Sequence, residues 1–226
     1  MIELHVPPSL NERALESHIA AVLAGRYGWI FPRALLLAAP VREIEDALKK
    51  SFPRIGDVLV EKKFPDTLSV IITERTFFAV LCGTPKEETE ISVPRCVSVD
   101  AQGVAYDNAP HVEGTLIRKI ESDFENITFG ETVVEPGLMY IIGVAIDQFD
   151  RAAGIKITTS VVSGRVPSEI RLKADDGFSI IMKTDNNPAE SARVFKKVLD
   201  GEIRGRRRDL EYVDLRFGNK VFYKYR

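Results

Sequence analysis

Few side chains in this sequence could do chemistry, and they are widely spaced. The histidines, which show no metal-ligand spacing, are His5, His18 and His111. We expect surface or hydrogen-bonded structural roles for them. The adjacent acids Asp175 and Asp176 could form a carboxylate pair, but the glycine that follows them favours a turn. The sequence contains no phosphate-binding loop, dinucleotide fingerprint or nucleophile elbow. We therefore predict no catalytic residue, no metal site and no cofactor.

The two cysteines, Cys82 and Cys96, both belong to strand-like runs separated by a polar stretch rich in Glu and Pro. Neighbouring antiparallel strands could bring them within bridging distance. Such a bridge would close a loop of about 15 residues, contribute on the order of 3 kcal/mol and require an oxidising compartment. Two buried free thiols explain the pattern equally well, so both interpretations stay open. A metal site is disfavoured, because neither cysteine has another Cys or His at ligand spacing.

The composition is that of a soluble globular chain of one large or two modest domains. Of the 226 residues, 45% are hydrophobic and 28% charged, and the net charge is −2. This charge disfavours a general nucleic-acid binder, and we expect the basic run Arg204–Arg208 to be a solvated loop. No stretch approaches the roughly 20 apolar residues that a membrane-spanning helix needs, and there is no signal peptide. An anchor preceding this sequence stays possible.

Residues 1–75 have the pattern of a compact unit in the order strand, helix, helix, strand, strand. The first strand alternates polar residues with Ile2, Leu4 and Val6. Ser9 or Asn11 can cap a helix that runs to about residue 25. The remaining predicted elements are an aromatic connecting loop at 27–32, a helix at 41–51, and strands at 55–64 and 68–75.

Residues 76–226 are mostly strand-like and interrupted by turns. A hairpin is predicted at 97–106, with its turn at 100–103. The other predicted elements are helices at 133–149 and from 187 to about 200, and strands at 77–82, 155–162, 169–174 and 178–183. The fold class that follows is α+β.

The last fifteen residues are typical of a hairpin, with Gly218-Asn219 as a two-residue type II′ turn. In this register one face pairs Phe217–Lys220, Leu215–Phe222 and Val213–Lys224. The other face pairs Tyr212–Tyr225, Asp214–Tyr223 and Arg216–Val221. Asp214 and Arg216 lie two apart on one face, so we expect an ion pair between them or bonds to neighbouring loops. The final strand is either an ordinary closing strand or an edge at which another chain's strand can dock.

Several short motifs occur in a fixed order along the chain. Residues 52–75 contain Pro53-x-Ile55, Phe64-Pro65-x-Thr67-Leu68 and Glu74-Arg75. Downstream lie Val99-Asp-Ala-Gln-Gly103 with Tyr106, then Pro110 to Gly114, and finally Tyr212-Val-Asp-Leu-Arg-Phe217. In this order the motifs resemble the extracytoplasmic part of the bacterial cell-division protein family FtsQ/DivIB. Two positions depart from the family pattern: Phe77 replaces a proline, although Ala79 matches, and Val6-Pro-Pro replaces a glycine-containing strand end.

The resemblance implies a POTRA domain (β-α-α-β-β) at residues 1–75. A β-rich domain with a mixed or antiparallel sheet and flanking helices then occupies residues 76–226. It also implies a non-catalytic scaffold of septum assembly at the extracytoplasmic face of the plasma membrane, anchored by an N-terminal helix absent here. The implied partners are FtsB/FtsL-like proteins, bound by strand addition at the C-terminal hairpin, and an FtsK-like protein bound through the POTRA domain; no nucleic acid is expected.

Carried onto this sequence, the resemblance assigns partner contacts to Phe217, Gly218, Asn219, Val221, Tyr223 and Tyr225. The motif residues expected to be structural are Phe64, Pro65, Glu74, Arg75, Asp214 and Arg216. Three alternatives stay open. One is a POTRA module of outer-membrane assembly or secretion, although such modules usually occur in several copies. The others are a hydrolase within residues 76–226, and membrane or nucleic-acid binding through the basic run at 204–208.

Overall fold

The computed structural model describes residues 1–24, 26–27, 31–32, 35–83, 95–123, 127–164, 167–218 and 220–226. The chain divides into two compact units, Met1–Thr76 and Phe77–Arg226. We take each unit by itself.

The first unit is a three-stranded sheet with two helices. Its elements are β1 (Ile2–His5), α1 (Glu12–Leu23), β2 (Arg26–Tyr27), β3 (Phe31–Pro32), a 3₁₀ turn (Leu36–Ala38), α2 (Val41–Ser51), β4 (Ile55–Lys63) and β5 (Thr67–Glu74). The sheet order is β1-β5-β4, with β1 parallel and β4 antiparallel to β5, while β2 and β3 pair separately. Asn11 caps α1, its Oδ1 accepting from the backbone N of Ala14 at 3.2 Å. The order of the main elements confirms the predicted β-α-α-β-β pattern.

The core of the first unit forms where both helices face the sheet. Each helix contributes buried residues four positions apart, Leu15 and Ile19 from α1 and Ile44 and Leu48 from α2. This spacing places them on one stripe of each helix. The buried sheet residues that they meet are Val58, Val60, Leu68, Val70 and Ile72.

The second unit is a nine-stranded sheet with two helices. Its elements are β6 (Ala79–Gly83), β7 (Cys96–Val99), β8 (Ala105–Ala109), β9 (Lys119–Ser122), α3 (Pro136–Ala153), β10 (Ile157–Val162), β11 (Glu169–Ala174), β12 (Ser179–Lys183), α4 (Pro188–Val198), a π-helical turn (Leu199–Ile203), a 3₁₀ segment (Arg204–Asp209), β13 (Leu210–Phe217) and β14 (Lys220–Tyr225). The order is β14-β13-β12-β11-β10-β9-β6-β7-β8. The sheet is mixed, since β9 is parallel to β6 and β10, and β12 is parallel to β13.

Two features of this unit differ from the sequence expectation. Strand β9 was not predicted, because Ile120 is its one apolar residue; Glu121 on the same strand bonds to Lys119 (3.0 Å) and Lys173 (2.7 Å). Helix α3 begins at Pro136 rather than residue 133, because the backbone N of Val133 donates to the carbonyl of Gly103 at 2.8 Å.

Helices α3 and α4 contribute to one large core with the sheet. The ring of Phe195 on α4 meets Phe149 on α3 edge-on, with centroids 5.6 Å apart, and stacks on Phe178 at 6.1 Å. Along β11 the buried residues alternate with the exposed Glu169, Arg171 and Lys173. One face of the sheet is therefore apolar and covered, and the other is polar along β11.

Candidate partner-binding edge

Strand β14 is the outermost strand at one end of the nine-stranded sheet, with β13 as its sheet neighbour. The pair Phe217–Lys220 closes the hairpin loop as predicted. Gly218 has φ +62°, a backbone conformation that glycine adopts more readily than residues with a side chain. Asn219, a predicted contact, lies outside the described residues, and the predicted turn type therefore does too.

The rest of the predicted hairpin register was wrong by one residue. Tyr212 lies opposite Lys224, and Asp214 lies opposite Phe222. The register shifts between Asp214 and Phe217, and shifts again between Leu210 and Tyr212. The predicted pairs that the structure contradicts are Leu215–Phe222, Val213–Lys224, Tyr212–Tyr225 and Asp214–Tyr223. Each shift is a β-bulge, in which β13 places one more residue than β14 between two paired positions.

The bulge nearer the turn decides which side chains are exposed. Val213 and Leu215 are buried in the core, so regular alternation would turn Phe217 inward as well. Instead the Phe217 ring meets the Phe222 ring edge-on, with centroids 5.2 Å apart. Phe217 is 54% and Phe222 51% exposed, so the hairpin presents an aromatic pair on its outer face. Phe222 was not among the predicted contacts.

The other predicted contact side chains on β14 point to the inner face. Val221, Tyr223 and Tyr225 are half-buried and pack against the core of the second unit. The Tyr223 and Tyr225 rings meet edge-on at 5.6 Å. These three side chains therefore pack inward and keep only part of their surface exposed. Their contribution to an interface would come from their half-exposed surface and their backbone.

The backbone of β14 offers hydrogen bonds on its outward side. Lys220 is paired with Phe217 across the loop, and the backbone N of Arg226 donates to the carbonyl of Asp209 at 2.8 Å. Backbone groups alternate in direction along a strand, so the even-numbered residues face β13. The N–H and C=O groups of Val221, Tyr223 and Tyr225 consequently point away from the sheet.

Asp214 and Arg216 form the ion pair that the sequence predicted, and Glu169 of β11 joins them. The Asp214 Oδ1 accepts from the Arg216 Nε at 2.9 Å, and its Oδ2 lies 2.6 Å from an Arg216 terminal nitrogen. The other terminal nitrogen of Arg216 bonds to Glu169. Hydrogen bonding from Arg216 lowers the pKa of Asp214, and the two carboxylates raise the pKa of Arg216.

The basic run is a mostly exposed segment, as predicted, but it is 3₁₀-helical rather than a loop and has partners within its own unit. Arg207 Nε lies 2.8 Å from the carboxylate of Asp176, beside the predicted turn at Gly177 (φ +87°). The Arg206 guanidinium lies over the Tyr225 ring, 3.9 Å from its centroid. This cation–π contact attaches the segment to the end of β14.

Cys82 and Cys96 form a disulfide in the structure, at directly opposed positions of β6 and β7. The S–S distance is 2.06 Å, and both residues are buried beside Val80. The two strands lie towards the end of the sheet opposite to β14.

The motif residues of the first unit connect the ends of β4 and β5. The Glu74 carboxylate accepts from the Arg54 Nε at 3.0 Å and from the hydroxyl of Ser9. Arg75 donates from its Nε to the Pro53 carbonyl at 3.0 Å. Phe64, 72% exposed, precedes Pro65 through a cis peptide bond at the β4–β5 turn.

Several other titratable groups have structural partners. His18 Nε2 lies 3.0 Å from the Ser51 hydroxyl. The carboxylates that line a pocket of about 420 Å³ in the second unit are paired: Asp147 with Arg118 (3.4 Å) and Asp150 with Lys156 (2.6 Å). Among the described residues, no group of three or more His, Cys, Asp or Glu could hold a metal ion. In the same part of the chain, no helix has the length and apolar character to span a membrane.

A family model described as POTRA domain, FtsQ-type, matches residues 32–75. This range includes α2, β4 and β5 of the first unit. The match supports an FtsQ/DivIB-like protein with a POTRA domain. Comparison with curated proteins gives no match. The FtsQ-type POTRA family is generally non-enzymatic and typically extracytoplasmic, and it indicates a division-related scaffold that takes part in protein–protein interactions of the division machinery.

Proposed function

We propose that this chain is a scaffold of septum assembly that binds an FtsB/FtsL-like partner by strand addition at β14. The observation that carries the proposal is the outward row of backbone groups on β14, at the open end of the nine-stranded sheet. An added strand would take hydrogen bonds from Val221, Tyr223 and Tyr225, which is how extended peptides bind sheet edges.

The side chains around this edge support the proposal. The outer face carries the exposed Phe217–Phe222 pair, and aromatic residues of this kind are enriched at interface centres. Lys220 and Lys224 flank Phe222 on the same face. Lysines on an edge discourage pairing with a second copy of the same edge. Lys224 is ion-paired with Glu211 at 2.6 Å, so Lys220 is the lysine that favours a partner strand with acidic residues.

The disulfide supports the proposed location at the extracytoplasmic face of the plasma membrane. A buried bridge between Cys82 and Cys96 forms and persists in an oxidising compartment. The two cysteines lie outside the family match, which ends at residue 75, so the disulfide supports this location independently of the match. Binding of an FtsK-like protein through the POTRA domain stays a prediction from the resemblance.

The test uses two substitutions at one position of β14. Val221→Pro removes an outward N–H group without removing a bond to β13, and proline is tolerated at such edge positions. Val221→Ala shortens the side chain and keeps the N–H group. We expect the proline variant to lose binding of an FtsB-like peptide, while the alanine variant keeps most of it. Circular dichroism checks that both variants stay folded. Undiminished affinity in a folded Val221→Pro protein would contradict the proposal.

A further inference from the structure

We propose that Asp214 locks the register of the C-terminal hairpin, with the Arg216 side chain and Glu169 supporting the lock. Asp214 would thus be a positioning residue for strand addition. Its effect on partner binding rests on the function proposed above, whereas its effect on the register does not.

The lock is built from one carboxylate at the bulge. The side chain of Asp214 is 7% exposed. Its Oδ1 accepts from the backbone N of Arg216 at 3.1 Å as well as from the Arg216 side chain. This backbone bond spans Leu215, so it encloses the residues at which the register shifts. Side chains of Asp commonly bond to the backbone two residues further on and thereby hold a local bend.

The bond explains why β13 departs from regular pairing at this point. A regular ladder requires each inward backbone N–H to find its partner on the neighbouring strand. The N–H of Arg216 instead bonds to Asp214, so leaving the ladder costs it no hydrogen bond. Arg216 is held in place at its other end by Glu169 of β11, which lies on the far side of β12 from β13.

The bulge then decides what the edge offers to a partner. It allows Leu215 to stay 5% exposed in the core while Phe217, two residues later, points outward to Phe222. A slip to the regular register would pair Leu215 with Phe222 and move Phe217 to the face of Val213. A shift of one residue reverses the face of each side chain beyond it. The aromatic pair on the outer face exists only in the locked register.

The register can be measured without any partner, by cross-strand nuclear Overhauser contacts in the labelled full chain. The wild type should show contacts for Tyr212–Lys224 and Asp214–Phe222. In Asp214→Ala, which removes the acceptor, these should give way to Val213–Lys224 and Leu215–Phe222. Asp214→Asn keeps an oxygen that can accept from Arg216 N, so it should restore the wild-type pattern. The control is Asp200→Ala, which removes an exposed carboxylate paired with Lys196 at 2.8 Å.

Wild-type contacts in Asp214→Ala would overturn the lock. If the alanine variant shows no hairpin contacts at all, the asparagine variant decides: the wild-type pattern supports the lock, and its loss contradicts the lock. Binding is then measured separately with an FtsB-like peptide. We expect Asp214→Ala to bind about tenfold or more weakly and Asp214→Asn to stay within about threefold of the wild type. A slipped register with unchanged affinity would support the lock and contradict a contribution of the Phe217–Phe222 pair to docking at β14.

Discussion

Two sheet edges of this chain differ in whether side chains bond to their outward backbone groups. One outer edge of the POTRA sheet is β4, the other being β1, and α2 covers part of β4: the Glu45 Oε1 accepts from the backbone N of Val60 at 3.2 Å. A lysine on α2, Lys49, bonds to Asp57 of the same strand at 2.7 Å. At β14 the outward backbone groups belong to Val221, Tyr223 and Tyr225, and within the described residues none of their N–H groups donates to a side chain.

A structural edge differs from a candidate docking edge in whether side chains of the same unit satisfy its outward backbone groups. An unpaired strand edge needs hydrogen-bond partners from side chains, water or another chain. On β4 a side chain of the same unit supplies one. On β14 the 3₁₀ segment contacts a side chain of the strand, the Tyr225 ring beneath the Arg206 guanidinium, and among the described residues no side chain accepts from the outward N–H groups. The two edges should therefore respond differently to substitutions.

The largest effect on stability should come from removing the disulfide, which holds the far end of the β14 sheet. Reduction, or the Cys82→Ser/Cys96→Ser variant, should lower the unfolding free energy of the second unit by about 3 kcal/mol. The POTRA unit contains neither cysteine and should melt unchanged. Thermal unfolding with a probe in each unit checks this. Equal destabilisation of both units would contradict a stabilising effect of the disulfide that is confined to the second unit.

A smaller effect should appear in acid, because Arg216 lowers the pKa of Asp214. The folded pKa lies below the unfolded value of about 3.9, so the stabilisation is fully present above that pH and is lost as the pH falls through the folded pKa. The stability difference between wild type and Asp214→Asn should consequently shrink below about pH 4. Chemical denaturation at several pH values measures it.

The matched acid on the other edge is Asp57, whose pKa is lowered by a hydrogen bond from Lys49. Its side chain is 74% exposed, so water screens the pair and Asp57→Asn should show a weaker acid dependence. An acid dependence as strong as that of Asp214 would show that the buried position of Asp214 is unimportant.

The smallest effect should come from opening the covered edge. Glu45→Ala removes the acceptor of the Val60 N–H and should cost about 1 kcal/mol in the POTRA unit, with faster amide exchange at Val60. Glu45→Gln keeps an acceptor oxygen and should exchange nearly as slowly as the wild type. Unchanged exchange in the alanine variant would mean that Glu45 does not protect this edge.

The sequence predicted those features that depend on residues close together in the chain. The helical stripe of Ile44 and Leu48 and the Asn11 cap identified the helices of the POTRA unit, because packing and capping leave local signals. Strand β9 escaped prediction, because its charged residues Lys119 and Glu121 bond to each other and Glu121 also bonds to Lys173 of β11, which is distant in sequence.

The hairpin shows a different limit. Its existence and its closing pair Phe217–Lys220 were predictable from the sequence, but the rest of the register depends on a side-chain bond to the backbone at Arg216, which no hydrophobic period reports. The buried residues Leu210 and Val213 are three apart, an odd spacing for one face of a strand, and this spacing fits the other bulge, between Leu210 and Tyr212. The bulge beyond Asp214 has no such signal, because Val213 and Leu215 keep the regular spacing of two.

Strand addition at β14 is tested most directly by amide hydrogen exchange of the full chain with and without an FtsB-like peptide. An added strand should slow exchange at Val221, Tyr223 and Tyr225, while Val60 on the covered edge of the POTRA sheet should be unaffected. Protection confined to every second residue of β14 follows from the direction of the backbone groups, and general stabilisation would not produce it. Binding of the peptide with no added protection at these three amides would contradict strand addition at β14.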